Sequence, residues 1–399
     1  MRPKRYGVGA KRMPLFWILF LLSAGLNLLS WKSRSFSDFY ADRIFPYVTA
    51  PLSRLTAVLP FSLGECLLIA AALWLLVLAG VLVLLAAGRI RRHGEKAEEK
   101  PGRALRHLWS VRFLHATAWV VNAVFLVMTL NCVILYHVTP LEESLPGYGK
   151  SYSVEELAKL RDYVADKCNT LALQMPRGED GEVFYEGGDA AMKQEARRAI
   201  AREAEESGLS EKLIFERLRG WSTTPKGMFA SEFISQQYMQ GYYFPFSMEA
   251  NYNTVMKVMN KPFTMCHELA HTHGYIYEDE ANLIGFLACI HSEDEVFQYS
   301  GWLGVLNYVD NAFYRNVDRQ IYRAHPAISE TVRTDNEFLS EKTWERVEKN
   351  AVLSTETVKA AADTYLDTTL KVNGVSSGKA SYEHVVGLLL ECFDGNFPE

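Results

Sequence analysis

The chain has 399 residues, of which 49% are hydrophobic, and its formal net charge is −5. Residues 1–139 hold 17 Lys and Arg against 6 Asp and Glu, a balance of +11, whereas residues 140–399 hold 25 against 41, a balance of −16. This split excludes a uniform soluble globule, and the acidic second half argues against nucleic acid as a partner, because phosphate backbones need a basic surface. The length allows a membrane domain, residues 1–139, and one further domain, residues 140–399, large enough to bury a core.

Three apolar runs, residues 14–31, 63–88 and 113–138, are each long enough to cross a bilayer core of about 30 Å as a helix. The second run contains one acidic residue, Glu65, at its start. The first run follows a basic N-terminus, as a cleaved signal peptide does, but no small-x-small cleavage site follows it and bulky Trp31 ends it. The sequence therefore predicts three transmembrane helices and the lipid bilayer as a partner.

The distribution of Lys and Arg predicts the orientation of these helices. Residues 1–13 carry five basic side chains and residues 89–112 carry eight, whereas the longer segment 32–62 carries only four. Basic loops stay in the cytoplasm. We therefore expect a multi-pass protein of the cytoplasmic membrane, with a cytoplasmic N-terminus and with residues 140–399 outside the cytoplasm.

The segment 32–62 combines aromatic and aliphatic residues with Asp42, Arg43 and Arg54. This pattern suits a helix that lies along the membrane surface and is broken near Pro46 and Pro51. A helix packed on the second domain is an equally good interpretation.

Residues 140–399 read as mainly α with a little β. A Pro- and Gly-rich linker, 139–152, precedes Ser153 and Glu156, which form a capping-box pattern that opens a helix to about residue 175. Residues 221–255 read as short strands or extended segments. The other predicted helices cover residues 189–207, 210–219, 262–273, 279–298, 302–324, 329–337, 355–370 and 381–393.

The clearest chemical signal is the HExxH pattern of His267, Glu268 and His271. Histidines at i and i+4 lie one above the other on a helix, so both imidazoles can bind one Zn²⁺, and the Glu beside them can take a proton from water. Pro262 suits the first turn of this helix and Gly274 suits its C-terminal stop. The pattern predicts a zinc site with Glu268 as the catalytic base.

A catalytic zinc site needs a third protein ligand and an open position. Glu278 and Asn282 lie at i and i+4 on a predicted second helix, so we expect Glu278 to be that ligand and Asn282 to orient a ligand by a hydrogen bond. Glu280 is the alternative ligand, and its side chain would point to a different side of the helix. His273 is off the HExxH face and is expected to be a supporting or surface residue.

Aromatic and polar residues precede the HExxH helix. An extended segment beside such a helix can pair with a substrate backbone, so Glu249 and Asn251 are candidate substrate-binding residues, with a plain core strand as the alternative. An oxyanion stabiliser is also needed, and nothing in the sequence separates its candidates. These candidates are Tyr382, Tyr365, His325 and Arg323.

Five segments resemble the bacterial membrane-protein family called domain-of-unknown-function family 3810. They are PFSLGE (60–65), YYFPFSMEANYN (242–253), KPFTMCHELAHTHG (261–274), EDEANLIGFLACI (278–290) and YLDTTLKVNGVSSGKASY (365–382). The resemblance implies a membrane-anchored zincin with no substrate that carries over. The ExxxN element is also similar to the ExxxD element of gluzincin peptidases, which implies that Glu278 binds zinc. This chain departs from that element by Asn282 in place of Asp and by a short gap after His271.

We therefore expect a membrane-anchored zinc metallopeptidase that acts on a peptide or protein. One alternative is a non-proteolytic membrane sensor or assembly protein with a structural zinc, which would close the fourth coordination position with a protein ligand. Another is a zinc amidase that acts on cell-envelope material.

Overall fold

The structure is a computed structural model, and it describes residues 13–92, 101–205, 216–218, 222–372 and 384–396. It is mainly helical, with 72% helix and little strand, as the sequence predicts. Most of the helix predicted over 210–219, and the residue Tyr382, lie outside the described residues.

The three predicted membrane spans are confirmed as helices long and apolar enough to cross a bilayer. They cover Met13–Lys32, Leu63–Ala87 and Trp109–His137. The helices themselves are α1 (Met13–Lys32), α4 (Leu63–Arg92) and α5 (Pro101–Met128), and α5 continues through a π turn at Thr129–Val133 and a 3₁₀ turn at Leu135–His137.

The segment between the first two spans forms α2 (Arg34–Phe39), a π turn at Tyr40–Ile44 and α3 (Phe45–Ala57). Pro46 lies in the first turn of α3, where the π turn ends, but Pro51 lies inside the helix, so the predicted break near Pro51 is wrong. Its polar face is buried on the second domain, while an apolar face is exposed. Both interpretations of this segment are thus partly right, since α3 packs on the domain and still presents an apolar surface. The exposed apolar residues are Tyr47, Val48, Leu55 and Val58.

The second domain is built from helices around a small sheet. Ser153 caps the first helix with both hydrogen bonds of the predicted capping box. The helices are α6 (Val154–Ala172), α7 (Gly188–Glu205), α8 (Ser231–Ser235), α9 (Lys261–Thr272), α10 (Glu278–Ile290), α11 (Glu295–Asn316), α12 (Arg319–Ala324), α13 (Glu330–Asp335), α14 (Glu341–Asn350), α15 (Thr355–Val372) and α16 (Val385–Phe393).

The predicted helices 279–298 and 302–324 have wrong boundaries, since the first ends at Ile290, the second begins at Glu295, and the chain breaks again at residues 317–318. The chain breaks at residues 291–294 rather than 299–301, because the Asp294 carboxylate accepts hydrogen bonds from the Val296 and Phe297 amides and starts α11 there. Helix α14 was not predicted, and its sequence is strongly polar apart from Trp344 and Val347.

The sheet contains β1 (Lys226–Gly227), β2 (Gly241–Phe244) and β3 (Glu249–Tyr252) in the order β1-β3-β2. β1 runs parallel to β3, and β2 and β3 form an antiparallel hairpin that packs on α9. The main core is formed by α6, α9, α10 and α11. A second buried cluster joins the membrane region to the domain through Phe45, Ile134, Leu135, Met248 and Ile276.

Candidate metal centre and cleft

Helix α9 presents its two histidines as predicted. Pro262 lies in its first turn, and Gly274, with φ of +92°, follows its last turn in a conformation that favours glycine. One helical turn separates His267 from His271, and their Nε2 atoms are 3.1 Å apart. The spacing therefore produces a pair of imidazole nitrogens that face one point.

The ring of His271 is oriented by the turn that follows α9. Its Nδ1 lies 2.7 Å from the carbonyl oxygen of Tyr275, which can only accept, so Nδ1 carries the proton and donates it. The lone pair of Nε2 is then free to bind a metal, which is the usual way in which a histidine ligand is held.

The first turn of α10 brings a carboxylate to this pair. Oε2 of Glu278 lies 3.3 Å from Nε2 of His267 and 3.7 Å from Nε2 of His271. The two helices approach closely because α10 has a glycine at the contact. A Cβ atom on Gly285 would lie only 3.0 Å from the backbone nitrogen of His267.

The spacing of the three atoms fits one zinc ion. A tetrahedral zinc with bonds of about 2.0–2.1 Å separates its ligand atoms by about 3.3 Å. The observed separations of 3.1, 3.3 and 3.7 Å lie within about 0.4 Å of this distance. Among the described residues, His267, His271 and Glu278 are the group of His, Cys, Asp and Glu residues that could hold a metal ion.

The charges and hydrogen bonds of His267, His271 and Glu278 shift one another's pKa values. Burial opposes the charge on His271, but the hydrogen bond and charge of Glu278 raise its pKa to about 9. Burial likewise opposes ionisation of Glu278, yet the two histidines hold its pKa well below the usual range. A bound cation would replace the His271 proton as the counter-charge of this carboxylate.

Glu280, the alternative ligand, does not join this group. Its Oε1 accepts a hydrogen bond from the Leu141 amide at 2.6 Å, in the linker that leaves the third span. The side chain points away from the histidines because two residues along a helix turn it by about 200°. Burial raises the pKa of Glu280 to about 7.

Glu268 lies beside the pair with little contact to other polar groups. It is 4% exposed, and a Cβ on Gly241 of β2 would lie 2.7 Å from its Oε1. Within the described part of the chain, its Oε2 has no hydrogen-bond partner. Burial raises the pKa of Glu268 to about 8. A buried carboxylate with an unpaired oxygen and a pKa near neutrality is suited to accept and release a proton.

Asn282 lies where the sequence predicts, beside the His267 ring, and it also lies next to the Tyr308 hydroxyl. In the described segments, neither Nδ1 of His267 nor Nδ2 of Asn282 has a hydrogen bond of normal geometry. The Asn282 side chain favours the charged form of the His267 ring, as an amide oxygen that accepts from a ring N–H does. The pair thus has the composition needed to orient this ligand.

These groups open into a cleft of about 900 Å³. Its lining includes Gln240, Gly241 and Phe338, together with Lys359 and Leu366 of α15. Sequence reasoning missed the contribution of α11, whose Tyr308 lines the cleft. A polar stripe at i, i+4 and i+8 on this apolar helix was the available signal. It consists of Asn307, Asn311 and Arg315.

The predicted substrate-binding pair lies elsewhere. Glu249 and Asn251 are both fully buried in β3, and among the described residues neither belongs to the cleft lining. The Glu249 carboxylate accepts from Lys226, Ser247 and two amides of α4, so its role is structural and the substrate-binding prediction is wrong. Asn251 donates to carbonyl groups within its own hairpin, which supports the core-strand alternative.

The other candidates are also dispersed. His325 contacts Asp162 at 2.7 Å, Arg323 is exposed, and Tyr365 is 74% exposed; none of them lines the described cleft. His273 is buried rather than exposed, and its Nδ1 lies 3.0 Å from the carbonyl oxygen of Arg217.

The chain is a membrane protein by its three long apolar helices, and its second domain is mainly helical and contains the HExxH helix α9. Residues 40–390 match the family described as Protein of unknown function (DUF3810), so this chain belongs to that family. No curated protein and no solved structure matches the chain.

Proposed function

We propose that this chain is a membrane-anchored zinc metallopeptidase. The observation that carries the proposal is the trio of donor atoms from His267, His271 and Glu278, spaced for one tetrahedral ion beside the unpaired oxygen of Glu268. Zinc in such a site would act as a Lewis acid that polarises a carbonyl and lowers the pKa of water.

The protein residues would supply the remaining chemistry. Glu268 takes a proton from the attacking water and delivers it to the leaving amine, and its raised pKa suits both steps. Tyr308 lines the cleft close to Glu278, so its hydroxyl is a candidate donor to the oxyanion. Of the candidates that the sequence left open, Tyr365, His325 and Arg323 do not line the described cleft, and Tyr382 lies outside the described residues.

The edge strand β2 offers a backbone for a peptide substrate. The Asn253 amide donates to the Gln240 carbonyl, which makes residues 240 and 253 a hydrogen-bonded pair. Alternate residues in an antiparallel hairpin direct their backbone groups to opposite sides, so those of Gly241 and Tyr243 point away from β3. An extended peptide could pair there, with Gly241 placing it next to Glu268.

The orientation rests on the basic residues of the sequence. Since residues 1–13 and 89–112 are the basic segments, we propose that the N-terminus is cytoplasmic and the cleft is outside the cytoplasm of a bacterial cell. A reporter fused after Glu399 that is active only in the cytoplasm would contradict this topology.

The function is tested with the full chain in lipid nanodiscs and a soluble random-sequence peptide library, before and after removal of metal by a chelator. We expect cleavage of peptide bonds, its loss on chelation and its recovery with one equivalent of zinc. Bound zinc without any peptide cleavage would favour the structural-zinc sensor. Cleavage of envelope amides but of no peptide would favour the amidase.

A further inference from the structure

The β2–β3 hairpin contacts the second and third membrane spans near the ends that face the second domain. Nδ2 of Asn131, within the third span, donates to the carbonyl oxygen of Pro245 in the hairpin turn at 2.6 Å. The Phe244 ring packs against Gly64 at the start of the second span, where a Cβ would be only 2.8 Å from the ring. The turn of the hairpin therefore lies beside the last turns of the third span and the first turn of the second.

The loop that leads to the third candidate ligand, Glu278, is held by the last turn of the third span, about 7 Å along that helix from Asn131. Gly274 packs against Phe45 and Leu135, and the Tyr277 hydroxyl donates to the carbonyl oxygen of Tyr136 at 2.5 Å. Leu135 and Tyr136 belong to the last turn of the third span, and Tyr277 immediately precedes Glu278. The candidate metal centre is thus one residue away from a direct contact with a membrane span.

The strand β2 gives the length of extended chain between the span ends and the reaction centre. Three residues separate Phe244, at the span ends, from Gly241, beside Glu268. At about 3.3 Å per residue this separation is about 10 Å.

The cleft wall beside β2 also begins at the membrane. The Glu65 carboxylate, at the start of the second span, accepts hydrogen bonds at 2.9 Å from the amides of Phe229 and Ala230. Phe229 and Phe233 expose more than half of their surface next to this contact, and α8 leads from there into the cleft residues Gln237 and Tyr238. Exposed aromatic rings beside the end of a span are typical of the membrane–water interface.

We infer that the substrate is the juxtamembrane segment of a membrane-anchored polypeptide, cut about three residues from the end of its anchor. This inference rests on the proposed peptidase activity and adds the substrate class. A chain that leaves the bilayer beside β2 reaches Glu268 after about 10 Å of extended backbone, and it can pair with β2 on the way. The membrane then supplies both the local concentration and the position of the cut.

The test uses the full chain in nanodiscs of phosphatidylethanolamine and phosphatidylglycerol, each also holding a single-span peptide. A random 30-residue segment flanks the span at each end, so that one segment always faces the cleft. The same random segment without the span is the soluble comparison. Release of fluorescent fragments gives the rates, mass spectrometry gives the cut positions, and Glu268→Gln in parallel nanodiscs reports any contaminating protease.

We expect the anchored segment to be cut about 10²-fold faster than the soluble one, as confinement to one bilayer predicts, with cuts concentrated about three residues from the span. Equal rates, or cuts spread evenly along the random segment, would overturn the inference and leave the peptidase proposal standing. Cleavage of neither segment would overturn both.

Discussion

Two buried carboxylates at opposite ends of the β2–β3 hairpin have opposite surroundings. At the membrane end, Glu249 accepts hydrogen bonds from the Leu63 and Gly64 amides, the Ser247 hydroxyl and the Lys226 ammonium group. At the cleft end, Glu268 is equally buried, but its Oε2 has no partner in the described part of the chain.

This difference separates a structural acid from a reactive one. A carboxylate whose oxygens are all hydrogen-bonded holds the elements around it together. A buried carboxylate with a free oxygen lowers the stability of the fold. Such groups occur at functional sites, where a ligand or substrate supplies the missing partner. The comparison therefore indicates that Glu249 attaches the domain to the second span, and it supports our proposal that Glu268 is the catalytic acid–base residue.

The sharpest way to break this comparison is to neutralise each acid by an isosteric change. Glu268→Gln removes the proton acceptor, so we expect peptide cleavage to fall about 10²–10⁴-fold while zinc and the unfolding temperature are retained. Glu249→Gln should lower activity only as far as it lowers the folded fraction. Initial rates normalised to zinc content distinguish the two. Normal activity in Glu268→Gln would contradict the assignment.

The structural role of Glu249 is tested by removing the charge of its partner, Lys226. Lys226→Met removes the ammonium group that lies 2.5 Å from Oε1 of Glu249. Removing one member of a buried ion pair lowers the free energy of unfolding by about 3–5 kcal/mol. Thermal unfolding in nanodiscs should therefore begin at a clearly lower temperature. The double variant Lys226→Met, Glu249→Gln should recover part of this loss, because no buried charge remains unpaired. Equal stability of the wild type and Lys226→Met would show that the pair does not attach the span.

A smaller effect is expected where α10 approaches α9. Gly285→Ala places a methyl group 3.0 Å from the backbone nitrogen of His267. Overpacking of this kind lowers the free energy of unfolding by about 1–3 kcal/mol. Because the strain separates Glu278 from the histidines, zinc affinity measured by competition with a chelator should decrease. Gly387→Ala in α16 is the matched control, since its methyl group would meet nothing within 4 Å. Unchanged affinity in Gly285→Ala would mean that the helix contact does not set the ligand spacing.

The smallest effect concerns the carboxylate that the sequence could not separate from Glu278. Burial raises the pKa of Glu280 to about 7, so the folded protein binds this proton more tightly than the unfolded chain, whose Glu pKa is about 4.3. The contribution of Glu280 to stability is therefore complete below about pH 4.3 and decreases as the pH rises to about 7. Glu280→Gln should flatten this part of the pH profile of the unfolding temperature. An unchanged profile would exclude Glu280 as its source.

Local rules made much of the site predictable. The i, i+4 spacing of the histidines, Pro262 and Gly274 at the ends of α9, and the position of Glu278 at the start of α10 are all properties of short segments. The three membrane spans follow from length and hydropathy alone. These features do not depend on how distant segments pack.

The errors lie where packing between distant segments decides. Glu249 resembles a substrate-binding residue in sequence, but its partners at Leu63 and Gly64 are about 185 residues away along the chain. Tyr308 belongs to a helix whose place beside α10 is set by the core and not by its own pattern. The same limit explains why α3 could not be assigned between membrane and domain, since it contacts the domain through polar residues and exposes apolar ones.

The central claim is tested most directly by the zinc content of the full chain, purified in nanodiscs because the domain is attached to the spans at several points. We predict one zinc per chain in the wild type, almost none in His267→Ala, and one in His273→Ala, whose ring is buried outside the trio. Zinc retained by His267→Ala, or absent from the wild type after growth in zinc, would contradict the account.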